Sequence, residues 1–121
     1  MKYKAITVYG IPNCDTVKKA RTWLTDHGFE YVFHDFKKQG LPENHLDAWL
    51  QSAGWEVVVN RKGTSWRKLS PSEQASVVSG ASARPYLLVN PSLIKRPVIE
   101  WLSDKGTEIT VGYQPDQWLA R

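Results

Sequence analysis

The residue in this chain best equipped for chemistry is Cys14, its only cysteine. The run Ile6-Thr7-Val8-Tyr9-Gly10-Ile11-Pro12-Asn13-Cys14-Asp15-Thr16 reads as a strand, a Gly/Pro loop and a helix that starts at the thiol. Unpaired N–H groups at a helix N-terminus favour a nearby anion, so a thiol there ionises more readily than a free one, and the thiolate is the nucleophile. A lone cysteine is often just a buried small hydrophobe. Asn13, Asp15 and Thr16 make a poor apolar pocket, which favours the reactive reading. Lys18 falls one helical turn beyond the thiol, as a cationic neighbour or as an ordinary exposed helix lysine. A cysteine phosphatase would need five residues wrapped around phosphate between Cys and Arg. Here six helix-like residues separate Cys14 from Arg21, which aims Arg21 along the helix instead. His27, His34 and His45 lack metal-ligand spacing, so no metal site is expected.

The elements that must position Cys14 follow from periodicity. Residues 4–9 read as the first strand. On a wheel of about 100° per residue, Val17, Ala20, Trp23, Leu24 and His27 share one arc, which predicts a helix to about His27 closed by Gly28. Tyr31-Val32-Phe33-His34-Asp35-Phe36 reads as a second strand, and the whole as a βαβ unit with parallel strands. A loop over 37–41 leads to Pro42 in a first helical turn, with Leu46, Trp49 and Leu50 at helical spacing and a stop at Gly54. Trp55-Glu56-Val57-Val58-Val59-Asn60 is ambiguous, its β-branched residues favouring a strand. Ser70 and Glu73 form a capping box for a helix that Gly80 would end. Tyr86–Val89 is a short apolar run before an Asn90-Pro91-Ser92 turn. Residues 98–102 and 107–111 flank the turn-like Ser103-Asp104-Lys105-Gly106, which predicts a hairpin, and 114–119 a short closing helix.

At 121 residues the chain is expected to be one domain, 1–121, with a helical insertion at about 41–81. One cysteine excludes an internal disulfide and fits a reducing compartment. Residues 1–8 carry no long apolar stretch, so neither a signal peptide nor a membrane span is expected, and a cytoplasmic protein follows. The net charge of +4 is spread over short groups (Lys18, Lys19 and Arg21; Lys37 and Lys38; Arg61, Lys62, Arg67 and Lys68; Lys95 and Arg96). That distribution lends little support to nucleic-acid binding and leaves room for small anionic ligands. Six Trp and five Tyr fall largely at helix-periodic or strand positions, where packing is the default role.

Three patterns in order, Tyr9-Gly10-Ile11-Pro12-Asn13-Cys14-Asp15-Thr16-Val17-Lys18-Lys19-Ala20, Asn60-Arg61-Lys62-Gly63-Thr64-Ser65-Trp66-Arg67-Lys68-Leu69 and Ile94-Lys95-Arg96-Pro97-Val98, resemble the ArsC/Spx arsenate-reductase-like family, most closely its YffB-type branch. The resemblance implies an α/β, thioredoxin-like (glutaredoxin-like) fold with a helical insertion and a mixed sheet ending in a β-hairpin. It implies a nucleophile at Cys14 and a cis bond at Arg96-Pro97, accessible because the trans preference before proline is small. It assigns anion or glutathione contacts to Arg96, whose guanidinium can bind a carboxylate or oxyanion bidentately, and more weakly to Arg61 and Lys18. Arsenate reductases of this type carry a third arginine near the end of the hairpin, where this chain has Val111-Gly112-Tyr113-Gln114-Pro115. The redox-regulator members usually carry Cys-x-x-Cys, whereas Val17 holds the second position here. The expected function is a glutathione-dependent thiol reductase with Cys14 as nucleophile, no tightly bound cofactor, and glutathione or a glutaredoxin as the external resolving thiol. A protein substrate is compatible with it. The alternative is a noncatalytic redox or transcription-related regulator that binds a protein partner.

Overall fold

A computed structural model describes residues 3–120. Strand β1 (Ala5–Gly10), helix α1 (Asp15–Asp26) and strand β2 (Val32–Asp35) form the expected βαβ unit, with β1 and β2 parallel and Gly10 opposite Asp35. Strand β3 (Val98–Ser103) lies antiparallel on the other side of β1, and β4 (Gly106–Val111) returns beside β3. The sheet order is β2-β1-β3-β4, so the sheet is mixed and ends in the predicted hairpin.

The strand period of two sorts the side chains. Ile6 and Val8 of β1 sit opposite Trp101 and Ile99 of β3. These four join Tyr3, Ala20 and Leu24 of α1, and Trp118 of α8 (Pro115–Leu119) in one buried cluster. Within it the Trp101 indole N–H donates to Thr110 Oγ1 at 2.9 Å, which satisfies a polar group that burial would otherwise penalise. The predicted arc of α1 is largely buried, through Val17, Ala20 and Leu24. His27 is exposed instead, its ring stacked on Trp23 at 3.8 Å, because the helix ends there. The closing bonds run from Gly28 N–H to the Thr25 carbonyl and from Phe29 N–H to the Leu24 carbonyl.

The residues divide into two compact units: residues up to Gly40 together with those from Arg96 onward, and Leu41–Lys95. The first unit holds the sheet, α1, α8 and a short turn of helix, α2 (Phe36–Gln39), where a loop was expected. Asp35 makes the difference: its side chain accepts from Lys37 N–H at 2.9 Å and caps that turn. The second unit is helical: α3 (Glu43–Ala53), α4 (Trp55–Val58), α5 (Thr64–Arg67), α6 (Pro71–Ser76), α7 (Gly80–Val89) and a 3-10 turn at Pro91–Leu93.

In the second unit one ambiguous segment resolves against its local preference and one expectation fails. Residues 55–58 form a helical turn, not a strand, and only Val59 makes a β-bridge, to Ile94. Strand propensity records fit to a pleated, half-buried surface, and here it yields to the burial of Val58 after the Gly54 turn. Gly80 begins a helix where a stop was expected. Ser79 accepts from Ser82 N–H and Ser82 Oγ accepts from Ser79 N–H, a second capping box that restarts the chain after α6 ends at Ser76. The apolar run 86–89 therefore lies in α7, with Pro85 inside the helix at the loss of one backbone hydrogen bond. Arg84 of α7 binds Asp47 at 2.6 Å and Glu43 at 3.1 Å, which ties α7 to α3. With its helical segment between β2 and β3, the architecture is thioredoxin-like.

Candidate functional site

Cys14 is the N-cap of α1, with extended backbone (φ −144°, ψ 121°) and a half-buried side chain. Its carbonyl accepts the first helical hydrogen bond, from Lys18 N–H at 2.9 Å. No side chain caps this end, so the thiol sits beside free helical N–H groups, with Asp15 in the first turn. Gly10 sets the height of α1 over the sheet. A methyl group at Gly10 would meet Val17 Cγ2 at 2.9 Å, closer than real side chains pack, so only glycine lets the helix lie this near β1.

The register brings three chain segments to the same end of the sheet. Tyr9 lies opposite Val98, and Val98 opposite Val111, so the loop to Cys14 leaves β1 where Arg96-Pro97 enters β3 and where β4 ends. The Arg96–Pro97 peptide bond is cis. Gly112, at φ +84°, turns the chain after β4, and its N–H donates to the Pro97 carbonyl at 2.8 Å. Tyr113, 37% exposed, follows directly after this turn. Pro97 is buried and Arg96 partly so.

Lys18 is exposed one turn along α1 from Cys14. Arg61 belongs to the second unit and is also exposed; its guanidinium lies 5.3 Å from the Trp55 ring centre and 3.9 Å from Glu56. Arg21, expected to point along the helix, turns instead to Tyr31 and Phe33. It donates to Tyr31 Oη at 3.0 Å and its guanidinium stacks over Phe33 at 4.1 Å, which takes it away from any phosphate loop. Among the described residues no group of three or more His, Cys, Asp or Glu side chains could hold a metal ion. No helix among them is long and apolar enough to cross a membrane.

On the opposite side chain row of β1, Tyr9 donates to Glu100 Oε1 at 2.8 Å and packs on His34 at 4.9 Å. Burial first, then the bond to Glu100 and its negative charge, hold the Tyr9 phenol well above its ordinary range. The sequence reading did not find this pair, which is separated by 91 residues. It also missed the groove beside α1 formed by Lys18, Lys19, Thr22, Trp23, Asp26 and Tyr113. The spacing of Cys14, Lys18, Thr22 and Asp26, four residues apart, was the signal available for one wall. Nothing local announced Tyr113 as the other.

The ArsC family model matches residues 9–121. The solved structure of the YffB protein is 43% identical, covers 96% of this chain and 97% of its own, and superposes with a TM-score of 0.86. An arsenate reductase (ArsC) related protein from Brucella melitensis is 48% identical, with 96% and 92% covered and a TM-score of 0.73. The global transcriptional regulator Spx of Bacillus subtilis is 25% identical over 93% of this chain and 82% of its own. With a family match across nearly the whole chain and these relatives on the same architecture, the protein belongs to the ArsC family, among its arsenate-reductase-related, YffB-like members.

Proposed function

We propose that the protein is a glutathione-dependent thiol reductase in which Cys14 is the nucleophile and the resolving thiol comes from outside the chain. The observation that carries this reading is the placement of the chain's only cysteine at the N-cap of α1, at the sheet end where the cis Arg96-Pro97 step enters β3. A thiolate at this position attacks a sulfur of the oxidised substrate and forms a mixed disulfide. Glutathione, or a glutaredoxin, then attacks that disulfide and restores the thiolate. With one cysteine, no internal dithiol can perform the second step. Arg96 offers a fork of donors suited to a glutathione carboxylate, and Lys18 a point charge. Tyr113, in place of a third arginine, supplies no charge for a tetrahedral oxyanion, which moves the substrate from arsenate toward a disulfide. Cytoplasmic residence fits a chemistry that draws on a reduced thiol pool.

The test is mass spectrometry of the full chain after exposure to oxidised glutathione, paired with turnover of a small disulfide in the presence of glutathione. A single glutathione adduct on Cys14, absent in Cys14→Ser together with all turnover, is the expected outcome. Undiminished turnover in Cys14→Ser sinks the proposal. The likeness to Spx favours one second reading, a noncatalytic regulator that binds a protein partner. A stoichiometric partner that co-purifies with a chain inert toward disulfides would select it.

A further inference from the structure

The groove beside α1 has an unusual relation to Cys14. It measures about 560 Å³ and lies within the first unit. Its helical wall is Lys18, Lys19, Thr22, Trp23 and Asp26, and Lys18, Thr22 and Asp26 continue at four-residue intervals the row that Cys14 heads. Such a row drifts by about 40° around the helix at each step, so it starts beside the thiol and winds away from it, and helical side chains lean toward the N-terminus, here toward the thiol. The facing wall is Tyr113. The Gly112 turn delivers it, and Tyr113 rests edge-on against Trp118 at 5.4 Å, while Trp118 meets Trp23 at 5.3 Å. The aromatic side of the groove is thus anchored on the buried core.

Lys18, Lys19 and Asp26 form no ion pair with another described residue, and Lys18, Lys19 and Thr22 are all exposed. Along the groove's own lining the charge is graded, cationic at Lys18 and Lys19 and anionic at Asp26. With a rise of 1.5 Å per residue, Lys18 lies about 6 Å along the axis from Cys14, and Asp26 about 12 Å beyond Lys18. An extended chain covers these spans in about two and about four residues.

We propose that this groove docks an extended segment of a protein substrate whose reacting cysteine is followed, about two residues on, by an acidic side chain and, about four further, by a basic one. The inference rests on the reading of Cys14 as a thiol-transfer nucleophile and names its substrate class: a protein cysteine held in a mixed disulfide with glutathione. Cys14 Sγ bonds to the glutathione sulfur, the disulfide breaks, and the protein cysteine leaves as a thiolate that takes a proton from water. Free glutathione then attacks the Cys14 adduct, yielding glutathione disulfide and the original thiolate. The free glutathione sulfur is oxidised to the disulfide level as the protein sulfur is reduced to a thiol, while the glutathione sulfur taken from the substrate stays at the disulfide level throughout. The aromatic pair gives the segment an apolar floor, and the graded charge gives it a direction.

The experiment uses the full chain, labelled with nitrogen-15, at low salt. Two redox-inert peptides of identical composition, with serine in place of the cysteine, carry Glu near and Lys far, or Lys near and Glu far; each is made in both chain directions. The Glu-near peptide is expected to shift the amides of Lys19, Thr22, Trp23, Asp26 and Tyr113 and to bind roughly fivefold more tightly than its charge-swapped twin, the scale of one exposed ion pair. Lys19→Glu should abolish or reverse that preference, while Cys14 still forms its adduct with a small glutathione disulfide. Equal binding of the two peptides, shifts confined to other surfaces, or occupation of the groove by a second copy of the chain overturns the proposal. Adduct formation without groove binding defeats the docking surface alone, whereas groove binding without an adduct defeats the thiol chemistry.

Discussion

Substituting Gly10 by alanine tests how the position of Cys14 depends on the packing of α1. The added methyl would stand 2.9 Å from Val17 Cγ2 and 3.5 Å from Cγ1, in a side chain with no solvent exposure. Val17 cannot rotate out of the way, because a β-branched residue in a helix holds essentially one rotamer. The helix must therefore lift from β1 by roughly half an ångström, and overpacking of this kind costs about 1–3 kcal/mol. Cys14 caps the same helix three residues earlier, so the thiol moves with it. Val17→Ala alone creates a small cavity and destabilises by about 1–3 kcal/mol. In the double variant the new methyl enters the space that Val17 vacates. Urea unfolding followed by tryptophan fluorescence should show the double variant at least about 1 kcal/mol more stable than the sum of the single effects. Turnover of a small disulfide should fall in Gly10→Ala and recover in part in the double variant. A Gly10→Ala protein within about 0.5 kcal/mol of the parent, or strictly additive effects, would refute the reasoning.

Further outcomes follow from the buried polar groups. Tyr9→Phe removes the bond to Glu100 and should lower stability near pH 8 by about 1 kcal/mol. The folded-state pKa of Tyr9 is raised, so its contribution is complete below the unfolded value of about 10 and fades as pH climbs beyond it. The gap between Tyr9→Phe and the parent in urea titrations should accordingly narrow between pH 8 and pH 11; a constant gap would contradict the assignment. Thr110→Val leaves the Trp101 indole without its 2.9 Å acceptor at nearly unchanged volume and should cost about 1–3 kcal/mol, while Thr110→Ser should stay close to the parent. Equal stability of the two variants would show that the bond contributes nothing.

Much of the site was legible because its determinants are neighbours in the chain. The strand-loop-helix run that places Cys14 at an N-cap, the Gly28 closure, the Ser70–Glu73 capping box and the hairpin about residues 103–106 all depend on contacts within a few residues. Two segments were less legible, one because burial competes with local preference and one because two local signals compete with each other. Three successive valines favour a strand until the burial of Val58 decides for a helical turn. Gly80 reads as a stop until the Ser79–Ser82 box is formed.

The sequence by itself determined that its one thiol stands at the start of a helix and that these 121 residues hold no second cysteine to pair with it. Only the tertiary structure decided what surrounds that thiol. Strand register, a hydrogen-bonded pairing between residues some ninety positions apart, brings the Arg96-Pro97 step and Gly112 to the end of β1. The aromatic contact of Tyr113 with Trp118, and of Trp118 with Trp23, then raises a second wall beside α1. Such placements arise from the joint burial of distant side chains, and no local pattern of residues encodes them.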